Sequence, residues 1–160
     1  MFLSGILLSF GTLVNIIVDV TVTRVIDGDT VKAKLKHGEE ITIRLASLDA
    51  PELAQEYGKE SKKYLESLLL PKKVTLRTYE MDFYKRVLGD LNCNGFQINS
   101  EMILKGWAWS YMPKNKKFIS YESQARKLRA GLWAGKNPIA PWEFRRLKKV
   151  ESILNKNSKN

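Results

Sequence analysis

The chain has one cysteine and one histidine in 160 residues. Cys93 alone forms no intramolecular disulfide and supplies no thiolate zinc site. It lies in Leu91-Asn92-Cys93-Asn94-Gly95, which reads as a hairpin turn. His37 sits in Lys36-His37-Gly38-Glu39, a turn composition that leaves it solvated. A single histidine so placed excludes histidine-pair ribonuclease chemistry, a histidine base and histidine-ligated zinc. The sequence also lacks a Gly-x-x-x-x-Gly-Lys-Ser/Thr phosphate loop and any internal repeat. Acidic residues are few beside basic ones, 17 against 27, for a net charge of +10. A balance of that size points to a polyanionic partner, either nucleic acid or an anionic membrane surface.

Charge is wholly absent from Met1 to Val18, which is rich in Leu, Ile, Phe and Val. Three readings stand: a secretory signal, an uncleaved membrane anchor, or a first strand with a ragged start. No Lys or Arg precedes the run, which weakens the signal reading, and its length is near the lower limit for spanning a bilayer. The expectation is a protein exported or membrane-anchored through residues 1–18. Residues 143–160 hold six Lys or Arg and two Glu and read as a basic tail supplying electrostatic attraction. Residues 19–142 are then one domain, long enough to bury a core without staples.

Within that domain Val18, Val20 and Val22 share one parity, and Ile41, Ile43 and Leu45 alternate with Thr42, Arg44 and Ala46. Both segments read as strands, and Arg44 falls on the face opposite three apolar side chains. Pro51 prevents simple continuation of the second one. A helix is expected from about Glu56 to Leu69, stopped by Pro71. Val74 to Tyr79 reads as a strand, and Val87 to Leu91 with Phe96 to Ile98 as a hairpin around Asn94-Gly95. Asn99 or Ser100 is placed to cap a short helix ending at Gly106, and a last helix is expected from about Ser120 to Ala130, with Tyr121, Ala125 and Leu128 inward. The fold class is α+β with a mainly β core: a five-stranded OB-like barrel with about three packed helices.

Two acidic segments stand out: Val25-Ile26-Asp27-Gly28-Asp29-Thr30-Val31 and Leu48-Asp49-Ala50-Pro51-Glu52. Asp29 and Asp49 are too far apart for one metal loop but suit two neighbouring strands, where two carboxylates, waters and a backbone carbonyl would hold Ca²⁺. Asp27-Gly28-Asp29 is equally the composition of a plain tight turn. Glu52 is the one base available beside a cation-polarised water; the alternative is a glutamate favoured by a helix N-terminus. Arg44 and Arg86 suit bidentate contacts to a phosphate, or surface ion pairs. Gly106-Trp107-Ala108-Trp109-Ser110-Tyr111, followed by Lys114, Lys116 and Lys117, mixes rings and charge as strand-binding surfaces do. Tyr84 and Tyr111 are the stronger substrate candidates, while Trp133 and Trp142 read as packing for the terminal segments.

Together these segments resemble the staphylococcal nuclease (thermonuclease) family over about Val20 to Trp142. The resemblance rests on Val-Ile-Asp-Gly-Asp-Thr-Val, Ile-Arg-Leu-x-x-Leu-Asp-Ala-Pro-Glu and the Tyr-x-Arg of Asp82 to Arg86. It extends through Ile98 to Ile103, Ala130-Gly131-Leu132-Trp133 and the ending Asn-Pro-Ile-Ala-Pro-Trp-Glu-Phe-Arg-Arg, which is similar to bacterial members. It implies an OB-type barrel and Ca²⁺-dependent hydrolysis of DNA and RNA to 3′-phosphate ends. The implied metal ligands are Asp29, Asp49 and the Ala50 carbonyl, with Asp27 behind them. Arg44, Glu52 and Arg86 match the catalytic trio; Tyr84, Tyr111 and Lys85 are the expected substrate contacts. Ala50 stands where members often have Thr, Phe83 where a basic residue is common, and Lys85 where Gly is common. The implied partners are DNA and RNA, single-stranded or locally opened, with a membrane tether through residues 1–18 and no obligate protein partner. A noncatalytic OB-type binding module is the alternative, and a membrane-surface protein acting through the basic tail and apolar N-terminus a third reading.

Overall fold

The structure is a computed structural model that describes residues 15–70, 72–112 and 116–157. Most of the apolar run expected as signal or anchor, residues 1–14, lies outside the described residues. Among the described residues no helix is long and apolar enough to cross a membrane.

Three consecutive strands, β1 (Ile17–Val25), β2 (Thr30–Leu35) and β3 (Glu40–Leu45), form an antiparallel meander. The exposed His37 lies in the turn between the last two. β5 (Lys73–Met81) pairs antiparallel with β1, and β6 (Val87–Cys93) with β5. The sheet closes because β3 and β6 run parallel, with Ile43 opposite Val87 and Arg44 opposite Leu88. The result is the expected closed five-stranded OB-like barrel, with β7 (Phe96–Gln97) added at the end of β6. Asn94 and Gly95 make the turn between them, at φ 51° and 82°. Cys93 ends the strand before that turn and is buried, so it packs rather than turns.

A second pairing positions the site. β4 (Leu48–Asp49) pairs antiparallel with β8 (Trp109–Ser110), placing Asp49 opposite Trp109. The barrel interior is filled from β1 to β3 by Val20, Val22, Val25, Val31 and Ile43. α1 (Gly58–Leu69) closes it with Leu65 and Leu69, and α2 (Ile98–Leu104) with Met102 and Ile103, all fully buried. Burial of each such side chain contributes about 1.5–3 kcal/mol.

Three details differ from expectation. α2 starts after Gln97, which makes no side-chain cap, while Asn99 is fully buried inside the helix. Its amide tethers α2 to the barrel, so its local value as a cap gives way to tertiary hydrogen bonds. α3 spans Lys116–Lys127, earlier than expected; Ala125 is buried but Leu128 is 77% exposed, because it lies past the helix end. Finally, the segment read as a basic tail is helical: α4 runs Pro141–Asn157, a fourth helix where about three were expected. Trp133 is buried against Trp109, and Trp142 stacks beside Tyr111 and Trp109 at 5.4 and 6.5 Å. That aromatic cluster fixes the start of α4 against β8.

Candidate active site

One cleft of about 470 Å³ is lined by Asp27, Asp29, Arg44, Asp49, Ala50, Pro51, Glu52, Tyr84, Arg86, Tyr111 and Arg145. Barrel closure explains the convergence. The parallel pairing of β3 with β6 brings Arg44 and the residue before β6, Arg86, to the same end of the barrel. The loop from β1 to β2 delivers Asp29, whose carbonyl accepts from Leu45 N at 2.8 Å. The short β4 delivers Asp49.

Asp29 and Asp49 are buried, and one guanidinium bridges them. Arg44 Nε lies 3.0 Å from Asp29 Oδ1, and its Nη2 3.1 Å from Asp49 Oδ1. Its Nη1 donates to the Leu45 carbonyl at 2.6 Å. The Arg44 side chain is only 12% accessible, so this is no surface ion pair. Thr30 Oγ1 donates to Asp29 Oδ1 and the Ala50 N–H to Asp29 Oδ2, both at 2.8 Å. Asp27 stands behind, its Oδ1 accepting from the Asp29 N–H at 3.0 Å. Gly28 keeps this turn tight: a Cβ there would collide with Ser61 Oγ and the Ala50 methyl.

Burial pushes the Asp29 carboxyl up to about 6, even though Arg44 beside it pulls the other way. A carboxylate whose burial outweighs its partners, set beside a second one, is a donor set of hard oxygens that suits a divalent cation. Among the described residues no three His, Cys, Asp or Glu side chains converge as ligands. The expected site needs only the two aspartates, a backbone carbonyl at Ala50 and water.

Arg86 is held by Asp82. Asp82 Oδ2 accepts from Arg86 Nε and Nη2, each at 2.7 Å, and Oδ1 accepts from the Tyr84 and Arg86 backbone N–H groups at 2.9 Å. Tyr84 is 76% exposed, with the Arg86 guanidinium 5.4 Å from its ring centre. Lys85 occupies the left-handed region at φ 59°, where Gly is the favoured residue. Its exposed side chain points the turn's charge outward, and it is not among the cleft-lining residues. Of the expected substrate contacts, Tyr84 and Tyr111 therefore reach the cleft and Lys85 does not.

Arg145 is the residue that sequence reasoning missed. Its Nη2 donates to Asp49 Oδ2 at 2.8 Å and its Nη1 to Glu52 Oε1 at 2.7 Å. Its hydrogen bonds to Asp49, then to Glu52, raise its pKa against the cost of partial burial. The one available signal was the Pro-Trp-Glu-Phe-Arg-Arg segment, which sets a charge just after a packing tryptophan.

An OB-like barrel with carboxylates and arginines gathered in one cleft is the class of protein that fold and site define. Residues 42–135 match the model of the staphylococcal nuclease homologue family, and the chain belongs to that family. An uncharacterized endonuclease of Haemophilus influenzae is 38% identical over 81% of this chain and 74% of its own length. An uncharacterized endonuclease of Escherichia coli is 35% identical over 79% of this chain and 84% of its own. The staphylococcal-like nuclease CAN1 of Arabidopsis thaliana is 38% identical over 69% of this chain. The chain spans between 23% and 36% of the length of the plant relatives it matches.

Proposed function

We propose that the chain is a Ca²⁺-dependent, sugar-nonspecific nuclease that hydrolyses single-stranded or locally opened DNA and RNA to 3′-phosphate products. The observation that carries this reading is the convergence of Asp29, Asp49, Glu52, Arg44 and Arg86 on one cleft. Binding of a polyanion alone would not require four carboxylates among its lining residues. The relatives named as endonucleases support the same direction.

Asp29, Asp49 and the Ala50 carbonyl would hold Ca²⁺, which when bound supplies positive charge at the phosphate and polarises water. Glu52 accepts the proton of the attacking water as its oxygen bonds to phosphorus. The bond from phosphorus to the 5′ oxygen breaks, leaving a 3′-phosphate and a 5′-hydroxyl protonated from the solvent-filled cleft. Arg44 and Arg86 stabilise the charge that builds on the phosphate oxygens. Both begin paired with carboxylates, so phosphate binding exchanges those partners for phosphate oxygens. Tyr84 and Tyr111 offer rings for the flanking bases.

The test is incubation of purified protein with single-stranded DNA and with RNA, in Ca²⁺ or chelator, with identification of the ends. Arg44→Lys, Glu52→Gln and Arg86→Lys are assayed beside the parent. Lysine keeps the charge but loses the planar fork, and loss of a transition-state donor costs on the order of 10²–10³ in kcat, roughly 3–4 kcal/mol. Three folded variants turning over at the parental rate would leave the noncatalytic OB-type module as the better reading.

A further inference from the structure

We propose that Arg145 is a positioning residue for the reaction: it holds Glu52 against Asp49 and makes the first turns of α4 part of the active centre. The inference rests on the role given to Glu52 above.

Among the described residues, Arg145 is the side chain that pairs with the Glu52 carboxylate, at 2.7 Å. The same guanidinium reaches both oxygens of Asp49, at 2.8 and 3.3 Å. Asp49 is 3% accessible at its side chain and Glu52 38%, so Arg145 spans from the buried metal-side carboxylate to the open one. Without that bridge the two carboxylates repel each other, and Glu52 swings on its loop toward water. The planar fork fixes the pair in one geometry, as a lysine cannot.

The support behind Arg145 is built, not incidental. Ala140 and Pro141 are buried, and the Trp142 ring packs on Tyr111 and Trp109. Trp109 pairs across the β4–β8 ladder with Asp49 itself. The start of α4 is therefore registered to the carboxylate that Arg145 grips. A second tie runs from the Glu52 loop to the same segment, where the Gln55 side-chain amide donates to the Ile139 carbonyl. Gln55 also contacts Glu52 directly, its Oε1 accepting from the Glu52 N–H at 3.2 Å. The loop carrying Glu52 is thus pinned at two points by residues 139–145.

A positioning role separates from electrostatic attraction. Arg146, the next residue, is exposed and carries the same charge without lining the cleft. Arg145→Ala is expected to lower kcat by about 10–100-fold, the usual effect of removing a residue that orients a reacting group, with KM moving less than about threefold. Arg146→Ala is expected to raise KM and leave kcat unchanged. Arg145→Lys should recover part of the lost kcat, and guanidinium ion at nondenaturing concentration should recover part of it in Arg145→Ala. Arg145→Gln, which keeps most of the aliphatic stem, replaces the alanine variant if melting shows that one unfolded. Parental kcat in the folded Arg145 variants, a rise in kcat, or an equal loss in Arg146→Ala overturns the inference while leaving the nuclease reading intact. A parental protein that cleaves neither DNA nor RNA overturns both.

Discussion

Asp29 shows how a residue can be costly alone and useful with a partner. Its carboxyl titrates at about 6 because burial disfavours the charge, against an ordinary value of 3.8. Between those values the folded protein keeps a proton that the unfolded chain releases, so this group's contribution to stability falls as pH rises from about 4 to about 6. Above that window the cost is complete. Without divalent cation, Asp29→Asn should therefore melt higher than the parent near pH 7.5, and the gap should close by about pH 4. Thermal melting across that range checks this. A variant melting lower than the parent at pH 7.5 would mean that the lost Arg44 pair outweighs the burial cost. The arginines carry the complementary lesson. The segments around Arg44 and Arg86 suggested phosphate contacts; in the structure Arg44 pairs with Asp29 and Asp49, partners set by packing, and Arg86 with Asp82, four residues away in the same turn.

At the scale of elements, strands were legible where alternation was clean, as in β3, and helices where an apolar face and a stop coincided, as in α1. Residues whose value is tertiary were not. Asn99 resembles a cap by composition, yet its side-chain amide donates to the Ala46 carbonyl at 3.0 Å and to the Gly89 carbonyl at 3.2 Å. Its oxygen accepts from the Leu91 N–H at 3.1 Å. It joins α2 to β6 and to the end of β3, next to the strand that carries Asp49. Asn99→Ala strands these buried groups and should cost about 2–4 kcal/mol, read as a lowered urea midpoint with unchanged slope. A loss under about 0.5 kcal/mol would mean that water replaces the amide there. Arg145 escaped sequence reading for the same reason. It lies 93 residues from Glu52, and no local periodicity relates the two. The composition of its segment spoke for a solvated tail, and the Trp142 contacts that turn it inward appear only in the folded chain.

Across the whole molecule, net charge and site charge have opposite signs. The chain carries +10, while the cleft is lined by four carboxylates and three guanidiniums, with Asp82 behind Arg86 as a further acid. A field of that sign favours the approach of a polyanion, and a cation bound between the carboxylates would offset their repulsion of a phosphate. On the proposed reading, calcium would be required for binding as well as for chemistry. The direct measurement is Ca²⁺ affinity by calorimetry, together with turnover of single-stranded DNA, for the parent and for Asp49→Asn. The account predicts calcium binding and calcium-dependent cleavage in the parent, with both sharply reduced together in the folded variant. Full turnover in chelator, or unchanged calcium affinity without Asp49, would contradict it.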